Sequence, residues 1–131
     1  MIIADAAVWS KYLGGVGDRY TRRLTRALED EEDVALIADG VPELLAGFRD
    51  DALSRKAAKL LLGLPIISPS IGTRADAAAL ERKLRGQRVK MLHPMSCLMA
   101  QVCLELDSEV LSPIADYSRI AKAVRLKVCY V

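Results

Sequence analysis

Short unbroken runs of apolar residues recur along the chain, and they predict its strands. The run Met1–Ala4 ends at the acidic Asp5, and the second run is Val34–Ile37. Apolar runs of strand length without alternation are typical of central strands that are buried on both faces. Glu109–Ser112 and Lys127–Tyr130 are predicted to be later strands of the same sheet.

A further extended segment is expected at Ile66 and Ile67. This pair stands between Pro65 and Pro69. Proline cannot donate a hydrogen bond to a neighbouring strand and is confined to the borders of sheets. We therefore predict an extended segment here, but not a central strand.

Segments with apolar residues at helical spacing separate these runs. Gly14 and Gly15 close the first segment, and Pro42 opens another. Thr73, followed by Asp76 three residues later, resembles a capping box and predicts a helix start. The predicted helices are Ala6–Leu13, Asp18–Leu28, Glu43–Phe48, Ala52–Leu62, Thr73–Leu84, Pro94–Leu106 and Tyr117–Val124.

Strands and helices thus alternate along the whole chain. This order favours βαβ units and a mainly parallel sheet that helices cover on both faces. We predict an α/β fold, a three-layer α/β/α sandwich, formed by residues 1–131 as a single domain. The length of 131 residues and the hydrophobic fraction of 52% suit one domain with one substantial core.

Composition narrows the class of protein further. No apolar run reaches the roughly 18–20 residues of a membrane helix, and the first residues lack the basic start of a signal peptide. The three cysteines show no paired spacing, so we expect reduced, mostly buried thiols and a cytoplasmic protein. The single histidine gives too few ligands for a zinc site. The net charge of +2 does not by itself indicate a nucleic-acid binder.

Two acidic residues are candidates for chemistry. Ligands of open α/β sheets bind beyond the carboxyl ends of the strands, and Asp5 stands at such an end. Its alternative role is to cap the helix that begins at Ala6, and position alone leaves both readings open. Glu43 stands in the first turn of a predicted helix, where the helix dipole favours an acid whatever the function.

Four segments together resemble the PIN-domain nucleases of the VapC toxin type. Met1–Leu13 (MIIADAAVWSKYL) resembles the opening of these proteins, with an apolar strand, an Asp, small residues and a helix. Pro42–Gly47 resembles the second motif, Glu-Leu-x-x-Gly with small variations. Leu98–Leu106 resembles the third motif, Leu-Ile-Ala-Ala followed by a helix. Val110–Ser112, together with Asp116–Ala121, resembles the fourth region. The four segments occur in the family's order and span nearly the whole chain.

The resemblance implies an RNA-cleaving site in which a cluster of acids holds Mg²⁺ or Mn²⁺. Such hard cations take several oxygen ligands, activate water and stabilise charge on a phosphate. The family's first acid falls on Asp5 and its second on Glu43. The resemblance therefore implies catalytic and metal-binding roles for these two residues.

The other two acids of the family pattern are missing. The third acid position is Ser96 and the fourth is Ile114. Asp116, two residues beyond Ile114, is a candidate substitute if the loop shifts, and Ser96 offers a hydroxyl as a second auxiliary. Metal affinity is expected to be weaker than in an intact family member, or absent.

Two functions therefore remain open at this stage. The first is a metal-dependent endoribonuclease of a toxin–antitoxin module, with reduced activity. The second is a catalytically inactive PIN-like protein that binds RNA or an antitoxin-like partner. By resemblance we also expect a homodimer, with RNA and a cognate antitoxin-like protein as partners and no membrane association.

Basic residues offer candidate binding surfaces. Arg19, Arg22, Arg23 and Arg26 follow helical spacing and form a stripe that could hold a phosphate backbone or an acidic partner. The alternative is a solvated face that pairs with Glu29, Asp30 and neighbouring acids.

A second basic region lies around Gly86. It comprises Lys83, Arg85, Arg88 and Lys90, and it suits either an RNA path or an ordinary helix end. His93 is predicted to be a surface or helix-start residue.

Overall fold

The centre of the molecule is a five-stranded parallel sheet. The computed structural model describes residues 1–91 and 93–131. The strands are β1 (Ile2–Ala4), β2 (Val34–Ile37), β3 (Ile66–Ile67), β4 (Glu109–Leu111) and β5 (Lys127–Val128), and they lie in the order β3-β2-β1-β4-β5. Every pairing between neighbouring strands is parallel. The predicted strands are confirmed, and the Ile66–Ile67 segment is an edge strand, in agreement with its flanking prolines.

Helices follow the strands and return the chain to the start of the sheet. They are α1 (Ala6–Leu13), α2 (Arg19–Glu29), α3 (Val41–Ala46), α4 (Asp51–Leu61), α5 (Ile71–Gly86), α6 (Ser96–Glu105) and α7 (Asp116–Ala123). A 3₁₀ turn over Ala38–Gly40 joins β2 to α3. In the described part of the chain, no helix has the length and apolar character required to cross a bilayer.

Alternate strand residues enter two different cores, which gives the domain three layers. Ile3 and Val110 pack with apolar residues of α5, α6 and α7. Ile2, Ala4 and Leu111 pack on the opposite face, with residues of α1 to α4. Both faces of the central strands are thus covered, which explains why their sequences are continuous apolar runs. The predicted three-layer α/β/α sandwich is confirmed.

The predicted start of α5 is wrong. The helix begins at Ile71, and its cap is Ser70, whose hydroxyl accepts a hydrogen bond from the Thr73 amide at 3.1 Å. Thr73 is therefore the capped residue, and its own hydroxyl donates to Glu105 at 2.8 Å. A serine three residues before Thr73 supplies the cap without any acid in the first turn.

The three cysteines are buried and free, in agreement with the prediction. The carboxyl ends of β1, β2 and β4 meet at one edge of the sheet, because neighbouring strands run in parallel. This edge is where the fold places ligands.

Candidate functional site

Asp5 follows the central strand directly, and its side chain is 7% exposed. One carboxylate oxygen accepts a hydrogen bond from the Val8 amide at 3.1 Å and so caps α1. The other oxygen accepts a hydrogen bond from the Ser112 hydroxyl. Asp5 is therefore a helix cap and also a residue at the ligand-binding edge of the sheet.

The surroundings of Asp5 disfavour its charged form. Burial raises the pKa of the Asp5 carboxyl above its ordinary value, and the hydrogen bonds from Ser112 and Val8 offset only part of this effect. Burial thus raises the free energy of the ionised Asp5 carboxylate. Such a carboxylate at the end of a strand is typical of a functional site.

A small cleft, about 40 Å³ in volume, opens beside Asp5. Glu43, in the first turn of α3, lines the same cleft and is exposed. Most of the remaining lining is apolar and comes from β2, α6 and the loop after β4, including Leu36, Met99 and Ile114. The structure thus brings Asp5 and Glu43 to one cleft, as the sequence motifs predict.

Ser96 and Asp116 form a buried pair. Both side chains have no measurable exposure, and the Ser96 hydroxyl donates to an Asp116 carboxylate oxygen at 2.7 Å. The same oxygen accepts a hydrogen bond from the His93 amide at 2.8 Å. The other oxygen lies 3.6 Å from the Arg119 guanidinium. Asp116 thereby connects α6, α7 and the segment before α6.

The loop after β4 determines what faces the cleft beside Asp5. Ser112 is buried, and its hydroxyl oxygen accepts a hydrogen bond from the Ile114 amide at 3.0 Å while its hydrogen goes to Asp5. The Ile114 side chain lines the cleft. The resemblance found in the sequence implies an acid at this position, and the side chain present is apolar.

Three residues at this edge were not identified as site residues from the sequence. Ser112 is the residue after β4 and contacts Asp5, and the parallel pairing of Ala4 with Leu111 explains this contact. His93 and Tyr117 both line the cleft. Burial raises the pKa of the Tyr117 phenol, so this side chain stays neutral in the cleft wall. His93 is half-buried at the cleft rather than on the surface, but the prediction of a helix-start residue holds, because its Nδ1 accepts a hydrogen bond from the Met95 amide at 3.3 Å just before α6.

The acidic side chains present do not fit the metal cluster that the resemblance implies. Among the described residues, no three acidic, histidine or cysteine side chains come together as potential ligands of one ion. Of the acidic residues that the structure describes, Asp5 and Glu43 are those that line the cleft, while Asp116 is engaged by Ser96 and His93. A cation held by several protein carboxylates is therefore not supported, and we derive no reaction step through one.

The arginine stripe of α2 is partly neutralised by the acidic run that follows it. The two terminal guanidinium nitrogens of Arg23 each lie 3.1 Å from an oxygen of the Glu32 carboxylate. Arg19 stands 5.1 Å over the ring of Tyr20. Arg22 and Arg26 are exposed. The alternative reading of a face paired with neighbouring acids thus holds for Arg23, while Arg22 and Arg26 remain candidates for binding.

Comparison with solved structures identifies the same architecture in two other proteins. VapBC2 from Rickettsia felis, in a crystal structure with a DNA fragment from its promoter, matches 98% of this chain and 98% of its own, with a TM-score of 0.77 and 16% identity. VapC20 from Mycobacterium tuberculosis, a toxin that cleaves the sarcin–ricin loop, matches 94% of this chain and 95% of its own, with a TM-score of 0.68 and 14% identity.

These likenesses cover nearly the full length of each chain. No protein-family model matches this sequence, and no curated protein matches it. At identities of 16% and 14%, the likeness shows the fold. The chain has the fold of VapC-type PIN domains, as its four sequence motifs predict.

Proposed function

We propose that this chain is a cytoplasmic PIN-domain protein of the toxin–antitoxin type that binds RNA and an antitoxin-like protein. We propose further that its ribonuclease reaction is reduced or absent. The observation that supports this proposal is the composition of the cleft. Asp5 and Glu43 line it, Ile114 occupies the position of one family acid, and Asp116 is buried against Ser96.

The ribonuclease reaction is proposed to be weak because few carboxylates in the cleft are available to bind a cation. A divalent hard cation is held by several oxygen ligands, and each lost carboxylate lowers its affinity. Asp116 does not compensate, because its two oxygens already face the Ser96 hydroxyl, the His93 amide and the Arg119 guanidinium. Moving it into the cleft would leave the buried hydroxyl and amide without an acceptor.

A metal-dependent endoribonuclease is the second candidate. It is favoured by the retention of Asp5 at the strand tip and of Glu43 on the same cleft. Magnesium is often bound by one or two carboxylates together with substrate phosphates. In this function Asp5 and Glu43 would hold Mg²⁺ or Mn²⁺, which would activate water and stabilise charge on the phosphate, and Asp116 and Ser96 would be weaker auxiliaries.

The proposed protein partners rest on exposed apolar side chains. Leu53 and Leu60 of α4 are 52% and 54% exposed, and they line a groove with Leu13 and Phe48. Exposed apolar surface of this kind suits contact with another protein. We propose an antitoxin-like protein and a second copy of this chain as the partners of this surface.

Manganese calorimetry followed by an RNA cleavage assay tests the choice between the two functions. The wild-type protein and Asp5→Asn are compared under the same conditions, and circular dichroism verifies that both are folded. We expect no saturable manganese binding and no difference in cleavage between them. Manganese binding and RNA cleavage by the wild type, with loss of both in Asp5→Asn, would establish the ribonuclease instead.

The homodimer has its own test. Sedimentation equilibrium on the wild type should give a mass of two chains. The variant Leu53→Ser/Leu60→Ser, which is expected to be folded because both side chains are exposed, should sediment as one chain if this groove holds the dimer. A wild type that sediments as a single chain would contradict the proposed homodimer.

A further inference from the structure

A groove lined by basic residues leads away from the cleft. His93 borders the cleft and also the adjoining groove, which continues past Lys90 to α7. We call this groove the basic path, and its cations are Arg85, Arg88, Lys90, Arg119 and Lys122. The basic path therefore adjoins, at His93, the cleft that holds Asp5 and Glu43.

Most of this positive charge is not neutralised by neighbours. Glu81 lines the path and pairs with Arg85 at 3.5 Å, while Arg119 lies 3.6 Å from buried Asp116. The other three cations, Arg88, Lys90 and Lys122, are exposed. None of these three forms an ion pair with another residue in the described part of the chain.

Arg88 also occupies an unusual backbone position. It ends the turn after α5 with a φ of 60°, in the left-handed region that favours glycine. The turn is closed by hydrogen bonds from the Arg88 amide to Arg85 at 3.0 Å and from the Val89 amide to Leu84 at 2.9 Å. Glycine would serve this turn at lower cost, so the arginine is held there against its conformational preference.

We propose that the basic path binds the phosphate backbone of a single RNA strand that extends from the cleft. This inference rests on the proposed RNA binding and adds to it the surface responsible. Exposed unpaired cations along a groove attract phosphates through release of counterions. No Phe, Tyr or Trp side chain lines the described part of the path, so it offers no platform on which bases stack. The recognition is therefore of the backbone and is tolerant of sequence.

The test is fluorescence anisotropy with a short fluorescein-labelled oligouridylate, without divalent cations, over a range of salt concentrations. The variant Arg88→Gln/Lys90→Gln/Lys122→Gln removes the three unpaired cations. The control Arg55→Gln/Lys56→Gln/Lys59→Gln removes the same charge from exposed positions on α4. We expect the path variant to bind at least roughly tenfold more weakly, with a log–log salt slope shallower by about 2, and the control to bind like the wild type.

The outcomes separate this inference from the proposed function. If the wild type binds the RNA and both triple variants weaken it equally, RNA binding stands and the basic path is overturned as its site. If the wild type does not bind the RNA, the proposed RNA binding fails, and the path inference fails with it. If the basic path binds an acidic protein instead of RNA, the wild type is expected not to bind the RNA.

Substitution of Arg88 by glycine permits a sharper test, because it is expected to raise the stability of the fold and to weaken RNA binding. Arg88→Gly should raise the Tm, since glycine relieves the left-handed backbone, and should weaken RNA binding severalfold. Arg88→Lys keeps the charge and the backbone cost, so its affinity and Tm should stay near those of the wild type. Unchanged RNA affinity in Arg88→Gly would show that Arg88 has no part in the path.

Discussion

Ser112 donates its hydroxyl hydrogen to the carboxylate of Asp5, although 107 positions separate the two residues in the sequence. The contact follows from the sheet. Ala4 pairs with Leu111 in adjacent parallel strands, so the residues that follow them lie side by side at the carboxyl edge. Ser112 thereby supplies one of the few polar contacts that a buried carboxylate at this position requires.

Asp5→Asn is expected to raise the Tm at pH 7. Burial raises the folded-state pKa of Asp5 above its ordinary 3.8, so the folded protein binds more protons than the unfolded chain just above that pH. The free energy of unfolding therefore falls as the pH rises through this window, and the loss persists at pH 7. Asparagine carries no charge and still caps α1. Thermal melts should show a higher Tm for Asp5→Asn than for the wild type at pH 7, and this difference in Tm should vanish below pH 3.8.

Asp18 is the matched control for this prediction, because it also caps a helix with its carboxylate. The Thr21 amide, and then Lys11, hold the pKa of Asp18 below its ordinary value. Its stabilisation is present above pH 3.8 and is lost as the pH falls through the lowered pKa. Asp18→Asn should therefore lower the Tm at pH 7. A lower Tm for both variants at pH 7 would contradict the assignment of a costly charge to Asp5.

Ser96→Ala is expected to lower the free energy of unfolding by about 2 kcal/mol, since it removes a buried donor to a charged acceptor. Asp116 would keep the His93 amide but lose the 2.7 Å hydrogen bond from Ser96. Ser108→Ala is the control, because that buried hydroxyl donates to the neutral Leu106 carbonyl at 3.2 Å. The control should cost about 1 kcal/mol in urea unfolding. Equal costs for the two variants would argue against a charged Asp116.

The sequence was sufficient to predict the fold because its strongest signals are local. Val34–Ile37 is an apolar run since both faces of β2 are covered by helices, and such a run is visible without any contact being known. Asp5 was identified for the same reason, since it marks where a buried strand ends. The edge position of Ile66 and Ile67 followed from the prolines beside them.

The remaining features depend on contacts between distant segments. The role of Ser112 follows from the β1–β4 register, which no local pattern encodes. His93 reaches the cleft because its amide is held by Asp116, 23 positions away. The true cap of α5 is Ser70, but Thr73 gave the stronger local pattern because an acid follows it. The motifs showed that Ser96 and Ile114 stand where the resemblance implies acids. Only the structure shows that Asp116 accepts hydrogen bonds from Ser96 and His93 and so cannot replace them.

The cysteines are expected to be unreactive in the folded protein. Burial raises the pKa of the Cys97 thiol to about 11 and that of Cys103 to about 12, and it also raises the pKa of Cys129. The reactive thiolate is therefore scarce at neutral pH. Labelling with a chromogenic disulfide reagent should be slow in buffer and complete for all three thiols in guanidinium chloride. Rapid labelling of one thiol in buffer would reveal local opening around it.

Ile114→Asp is expected to create manganese affinity that the wild type lacks. Ile114 lines the cleft with Asp5 and Glu43, so an acid at this position adds a third carboxylate to the same space. The Ile114 side chain is only half-buried, so water can reach a carboxylate at this position. Because cation affinity increases with the number of charged ligands, calorimetry should show saturable manganese binding by Ile114→Asp and none by the wild type.

Ser96→Asp provides the contrast, since it also restores an acid of the family pattern. Ser96 is fully buried and lies 2.7 Å from an oxygen of Asp116, so two carboxylates would be forced together away from water. One of them would have to hold a proton, and the fold would lose stability without gaining a usable ligand. Ile114→Asn controls for polarity without charge and should not bind manganese. If Ser96→Asp binds manganese as tightly as Ile114→Asp, the α6 position does face the cleft, and the buried pair cannot be the reason for weak metal binding.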